Sequence, residues 1–142
     1  MLARLKQVAR DLSLPFGDRK MTFNSRLAQE LGKWAEQVGK GDAFHDAVFR
    51  AYFADGRNIA DVSILADVAT SIGLDAKEAS AILAARTFKE AVDTDWSRAY
   101  KSGVTAVPTF LMNGQTLVGA QPFNALENFV LQNNAIRRQS KH

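Results

Sequence analysis

The 142-residue chain contains no cysteine. That absence excludes a disulfide framework, a thiolate metal site and a cysteine nucleophile. Histidine is nearly as scarce, with His45 and the terminal His142 as the two present, too few for a histidine-rich metal centre. Carboxylates can hold a hard cation, but no acidic loop here has the ligand spacing such an ion needs. Neither a metal nor a cofactor is therefore expected. No stretch reaches the ~18 uninterrupted apolar residues of a membrane span, so no membrane partner is expected. The opening Met1-Leu2-Ala3-Arg4-Leu5-Lys6 lacks the basic start, apolar run and small-residue cleavage site of a secretory leader. The expectation is a cytoplasmic, soluble chain. A dense basic face is also missing. The net charge is +3, part of it in the tail Arg137-Arg138-Gln139-Ser140-Lys141-His142, which reads as a solvated end. No nucleic-acid partner is expected.

What the chain does have is helical periodicity over most of its length. Apolar residues make up 46% of it, enough for the core of one domain. Leu2, Leu5, Val8, Ala9 and Leu12 share one face of a helix over 2–11. An irregular stretch with Pro15 and Gly17 follows. Asn24 or Ser25 can cap a helix whose stripe is Leu27, Leu31, Trp34, Ala35 and Val38, ended by Gly39. Asp42 opens a helix carrying Phe44, Val48, Phe49, Tyr52 and Phe53. This aromatic stripe is broad enough to predict burial on more than one side. Asp61 starts the next helix, and Gly73 ends it. Asp75 and Glu78 stand three apart, as in a capping box, and head a helix to about Ala85. Another runs from about Phe88 to Lys101, stopped by Gly103.

The period then changes. Val104 to Met112 is short, apolar and rich in strand formers, and Asn113-Gly114 is the pair a two-residue hairpin turn demands. Gln115 to Val118 returns as the second strand. Pro122 stands where a last helix begins, with Leu126, Phe129 and Val130 predicted to face inward. The apolar run Phe110-Leu111-Met112 suggests a strand covered on both faces. A lone hairpin is at best marginal in water, so something should lie beside it.

Taken in order, these elements resemble the second half of a thioredoxin fold: Val107-Pro108, a short strand, Asn-Gly, a second strand and a helix. Phe49-Arg50-Ala51-Tyr52-Phe53 followed by Gly56-Arg57-Asn58-Ile59 and Leu65-Ala66 is similar to the helical insertion of DsbA-like oxidoreductases. So are Ile72-Gly73-Leu74-Asp75, Gly103 to Phe110, and Gly119-Ala120-Gln121-Pro122. Within that family the resemblance is to the cytoplasmic FrnE-like branch, related to 2-hydroxychromene-2-carboxylate isomerases and kappa-class glutathione transferases. It covers about Leu2 to Val130.

The resemblance implies an α/β fold by family, thioredoxin-like and DsbA-like, with this chain mostly α. It reads as one partial domain over 1–142, with about 24–102 as the helical insertion and about 103–135 as the hairpin and closing helix. A family member opens with a strand, a Cys-x-x-Cys turn, a helix and a second strand. This chain reads as starting after them, its dithiol half missing. The serine that the related isomerases and transferases use with glutathione would lie in that half too. Where the family commonly has a histidine after its Asn-Thr corner, this sequence has Asn24-Ser25 leading to Ala28-Gln29. Thiol-disulfide exchange needs a thiolate, so no catalytic residue is assigned. The resemblance implies a cis bond between Val107 and Pro108; the alternative is that Pro108 merely starts a strand, where proline is tolerated. The resemblance also implies a loop at Thr105, Ala106, Val107 and Pro108 that pairs with an extended peptide or protein substrate. Self-association, or docking of a segment that supplies the missing strands, is also expected from the hairpin edge.

Other readings are weaker. Residues 61–85 fit a helix-turn-helix, but Ala76 to Ala85 offers Lys77 and mostly small or apolar side chains, not groups that reach base edges. His45 has Asp42 one turn earlier and reads as a hydrogen-bonded or solvated histidine rather than a proton shuttle. Trp34 and Trp96 read as core or half-buried anchors, and Arg57 as a surface charge near a helix end.

Overall fold

The protein is described from a computed structural model, over residues 2–136 and 138. The expected solvated tail therefore lies outside the described residues, Arg138 apart. Seven α-helices and one hairpin are seen among the described residues: α1 (Leu2–Asp11), α2 (Arg26–Gln37), α3 (Gly41–Phe49), α4 (Val62–Ser71), α5 (Ala76–Ala85), α6 (Lys89–Lys101), β1 (Thr109–Met112), β2 (Gln115–Val118) and α7 (Phe123–Gln132). They form two compact units, Met1–Asp95 and Trp96–His142.

The first unit holds the core. α2, α3, α4 and α5 pack together and bury Leu31, Trp34, Phe44, Leu65, Val68, Ala79 and Leu83. Their ends are set by local chemistry. Asp61 accepts the Ser63 amide at 2.8 Å and Asp75 the Glu78 amide at 2.8 Å, each satisfying a donor that an open helix end leaves orphaned. At Asp75 one arm of the expected capping box is made, by the Asp75 carboxylate. Gly73 closes α4 with φ +81°, a conformation a Cβ disfavours. α4 and α5 thus form a packed helical hairpin.

Two features depart from the sequence reading. The helix opened by Gly41 widens after Phe49 into one π turn, Arg50–Ala54. Phe44 is buried, but Phe49, ahead of the π turn, is 58% exposed and Phe53, within it, 39%. The expected two-sided burial of this stripe is not seen: Phe49 lies on a different face of α3 from Phe44 and Val48, and the π turn takes Phe53 out of α-helical register with them. The segment before α2 wraps this turn. The Gly17 amide donates to the Phe53 carbonyl at 2.8 Å, and the Arg19 guanidinium lies 4.0 Å from the centroid of the Tyr52 ring, with Phe16 and Phe53 also within cation–π reach.

The second departure is electrostatic. Glu30, on the core side of α2, is 1% exposed. Arg86 clasps it through Nε at 2.7 Å and Nη2 at 2.6 Å, and Arg26 Nε adds a third bond at 2.8 Å. Arg26 Nη2 then reaches Asp93 at 2.6 Å and the Lys89 carbonyl at 2.9 Å, while Lys33 Nζ meets Asp95 at 2.6 Å. The network ties α2 to the end of α5 and the start of α6. Arg86 itself sits in the left-handed region at φ 53°, a strained place for a residue with a Cβ; two hydrogen bonds to Glu30 fix its side chain. Trp34 is core, as expected, whereas Trp96 is 55% exposed.

In the second unit β1 and β2 pair antiparallel in the register Thr109↔Val118 to Met112↔Gln115. The turn is as the sequence demanded: Asn113 and Gly114 both take positive φ, 50° and 77°. No charged residue occurs from Gly103 to Leu126. Phe110 is 37% exposed, Leu111 50% and Val118 51%, so the strand is not covered on both faces. α7 buries no residue fully. Leu126 and Phe129 are half-buried, and Val130, expected inward, is 39% exposed. The hairpin is fastened to α7 by polar bonds: Asn113 Nδ2 donates to the Asn133 carbonyl at 3.0 Å, and Asn133 Nδ2 to Gln115 Oε1 at 3.3 Å.

Candidate functional site

The four residues singled out from the sequence form one continuous segment. α6 ends at Lys101, and Gly103 turns the chain with φ +76°. The Val104 amide still returns to the Ala99 carbonyl at 3.0 Å, after which the backbone leaves helical bonding. Thr105, Ala106, Val107 and Pro108 are all exposed, Val107 at 89%. The Val107–Pro108 peptide bond is cis.

The segment is anchored at its far end. Thr109 Oγ1 donates to the Ala106 carbonyl at 2.6 Å, and the Gly119 amide donates to the Pro108 carbonyl at 2.8 Å. Among the described residues, no backbone hydrogen bond takes up the amides of Thr105, Ala106 or Val107. Exposed, unpaired amides next to a strand are the groups an added strand would use. No charged side chain lies in this stretch, so the loop offers hydrogen bonds and apolar contact rather than acid–base chemistry.

The other residues weighed for chemistry lie apart from it in the chain. His45 does not meet Asp42; its Nε2 is 3.4 Å from Glu36 Oε1, with both side chains about half exposed. Arg57 pairs with Asp67 at 2.7 Å, a surface ion pair. Gln29 donates to Oγ of Ser25, the residue just before α2, at 2.9 Å. Among the described residues, no group of three or more His, Asp or Glu side chains could hold a metal ion. No helix among them is long and apolar enough to cross a membrane. The Glu30 cluster escaped sequence reading: Arg26 and Glu30 are an ordinary i,i+4 pair, and Arg86, which clasps Glu30, lies 56 residues away. Glu30 is held below the ordinary glutamate range chiefly by its hydrogen bonds from Arg86, with Arg26 adding to them against the opposing cost of burial. It is a structural clasp.

With this geometry in view, comparison with known proteins is decisive. The model of the DsbA-like thioredoxin domain matches residues 1–130. The chain belongs to the DsbA-like thioredoxin family. The uncharacterized protein YwbO of Bacillus subtilis (strain 168) is 31% identical over 105 residues, covering 73% of this chain and 52% of YwbO. A crystal structure of a probable DsbA oxidoreductase from Streptomyces coelicolor superposes with a TM-score of 0.81 at 28% identity, covering 99% of this chain and 62% of that one. This DsbA-like chain therefore spans about half to three fifths of the length of these relatives. Its fold is the DsbA-like thioredoxin fold in mostly helical form, with a two-stranded sheet.

Proposed function

We propose that this chain is a DsbA-like scaffold that does not carry out thiol-disulfide exchange by itself. One observation carries the reading: 142 residues contain no cysteine. Exchange proceeds by attack of a thiolate on a disulfide sulfur through a mixed disulfide. A serine or threonine hydroxyl can neither accept nor pass on the two electrons of that couple. A family scaffold without a thiol is thus a pseudo-enzyme with respect to redox chemistry. The order of Gly56-Arg57-Asn58-Ile59, Ile72-Gly73-Leu74-Asp75 and Gly119-Ala120-Gln121-Pro122 favours the FrnE-like branch, and with it a cytoplasmic location.

The test is reduction of insulin by dithiothreitol. Turbidity should develop at the uncatalysed rate whether or not the chain is added. Catalytic acceleration by the cysteine-free chain would overturn the proposal.

A second reading, as a binding module, is supported by the loop. Thr105, Ala106, Val107 and Pro108 are exposed, and the three amides are unpaired. In this reading an extended polypeptide segment pairs with Thr105–Val107 by its backbone and lays apolar side chains beside Val107 and Phe110. Proline at Ala106 would remove one donor without adding charge and should weaken capture of an unfolded, cysteine-free client peptide. An unchanged affinity would exclude the loop as the contact.

A further inference from the structure

The segment before α2 places one cation where nothing answers its hydrogen bonds. Arg19 lies two residues after Gly17, whose amide is bonded to the Phe53 carbonyl at 2.8 Å, so the backbone here is held against the π turn. The Arg19 guanidinium carbon lies 4.0 Å from the centroid of the Tyr52 ring, 5.3 Å from that of Phe53 and 5.6 Å from that of Phe16. The Tyr52 and Phe53 rings stand at 83° with centroids 4.8 Å apart, and Phe16 meets Phe53 at 47° and 6.3 Å. Three aromatic walls thus surround one positive charge. Arg19 Nε and Nη1 are buried there without a hydrogen-bond partner. The adjacent carboxylate, Asp18, is taken by Lys6.

We propose that Phe16, Tyr52 and Phe53 form a binding site for a quaternary ammonium group, and that Arg19 is a built-in occupant which such a ligand displaces. Ring faces attract positive charge but accept N–H bonds only weakly. A guanidinium brings five N–H donors, and leaving two of its nitrogens buried and unpaired carries a desolvation cost. A quaternary ammonium has the same charge with carbon in place of every donor. The rings suit it, and it leaves nothing unpaired. An anion held by Arg19 fits less well, because the two buried nitrogens are shut off from any ligand that leaves the rings in place. Arg19 can leave without unfastening the segment. Gly17 and the Lys6–Asp18 pair keep their own contacts, and Arg19 is half-buried, so rotation of its side chain opens the site. A tethered competitor acts at high effective concentration, so the parent chain should bind weakly and a chain without Arg19 well. Free choline and the headgroup of phosphatidylcholine present the same group, and the test separates them.

The experiment titrates the full, isotope-labelled chain with choline chloride, against sodium chloride at matched ionic strength. In the parent, choline should move the Arg19 Nε–H resonance toward that of a solvated arginine. Arg19→Ala should bind choline about tenfold or more tightly than the parent with circular dichroism unchanged. The neutral isostere 3,3-dimethylbutan-1-ol should bind Arg19→Ala about tenfold more weakly than choline does. Adding Phe53→Leu, at an exposed ring, to Arg19→Ala should remove most of the gain. Retention of Arg19→Ala on phosphatidylcholine vesicles, lost with Phe53→Leu, assigns the lipid headgroup; choline binding without retention assigns a free solute. Equal binding of choline and its neutral isostere would overturn the proposal, as would Arg19→Ala binding no tighter than the parent. An Arg19 resonance that choline leaves in place would overturn it in the parent chain itself, whether or not the variant folds.

Discussion

Replacing Glu30 by glutamine keeps the shape of the side chain and removes its charge, so it tests the clasp with little repacking. Glu30 receives three hydrogen bonds of 2.6–2.8 Å from two guanidinium groups. Glutamine can accept at one oxygen, but its amide nitrogen would face a guanidinium, donor against donor. Breaking a buried ion pair by removing one partner costs about 3–5 kcal/mol. The side chains of Arg26 and Arg86 keep 18% and 42% exposure, so both can recover some hydration, which points to the lower end. The expected loss is about 3 kcal/mol at pH 7, or about 10 °C in Tm for a chain of this size. Urea unfolding followed by far-ultraviolet circular dichroism measures it. The pH dependence supplies an independent sign. Glu30 titrates lower in the folded state than in the unfolded one, where a glutamate has a pKa near ~4.3. Its contribution is therefore complete above that value and is lost as the pH falls through the folded value. Parent and variant should differ fully at pH 7 and converge in acid. A loss below about 1 kcal/mol at pH 7, or a gap that is the same at pH 7 and pH 3, would refute the reasoning.

Two further substitutions probe local features. Asp75→Ala removes the acceptor of the Glu78 amide and should lower stability by about 1 kcal/mol, whereas Asp75→Asn should retain most of it; thermal unfolding distinguishes them. Gly17→Ala would place a Cβ 2.5 Å from the Ala54 carbonyl oxygen and 2.9 Å from the Gly56 nitrogen. Backbone cannot swing away as a side-chain tip can, so a loss of about 1–3 kcal/mol is expected, with proteolysis between α1 and α2 as a second readout. Cleavage there no faster than in the parent would show that the loop tolerates the contact.

Much of the architecture could be read from local chemistry. Asn113-Gly114 announced its hairpin because few residue pairs accept two successive positive φ angles. Gly73 and Asp75 marked the α4–α5 turn for similarly local reasons: one end needs a residue without Cβ, the next needs a carboxylate. The loop at Thr105–Pro108 was named from the family resemblance rather than from a local pattern, and the structure leaves it exposed. What escaped were arrangements that depend on a single inserted residue or on distant partners. The π turn at Arg50–Ala54 leaves a helical stretch looking helical, and so Phe53 seemed as internal as Phe44, while Phe49 shared the apolar composition of that stretch without its buried face. Glu30 drew no reading at all, since nothing near it in the sequence names Arg86. Val130 and Leu111 fit apolar periodicities, but periodicity gives a face and not what covers it.

The slight hold on the hairpin has a consequence for hydrogen exchange. Opening a four-rung ladder that has no fully buried side chain from its own strands disrupts little else. The amides of Phe110 and Leu117 should therefore trade their protons through local fraying. Those of Leu31 and Leu65, deep among four helices, should wait for global unfolding. One polypeptide would then record two exchange regimes, and a ligand that settles on the hairpin would announce itself by slowing the faster one.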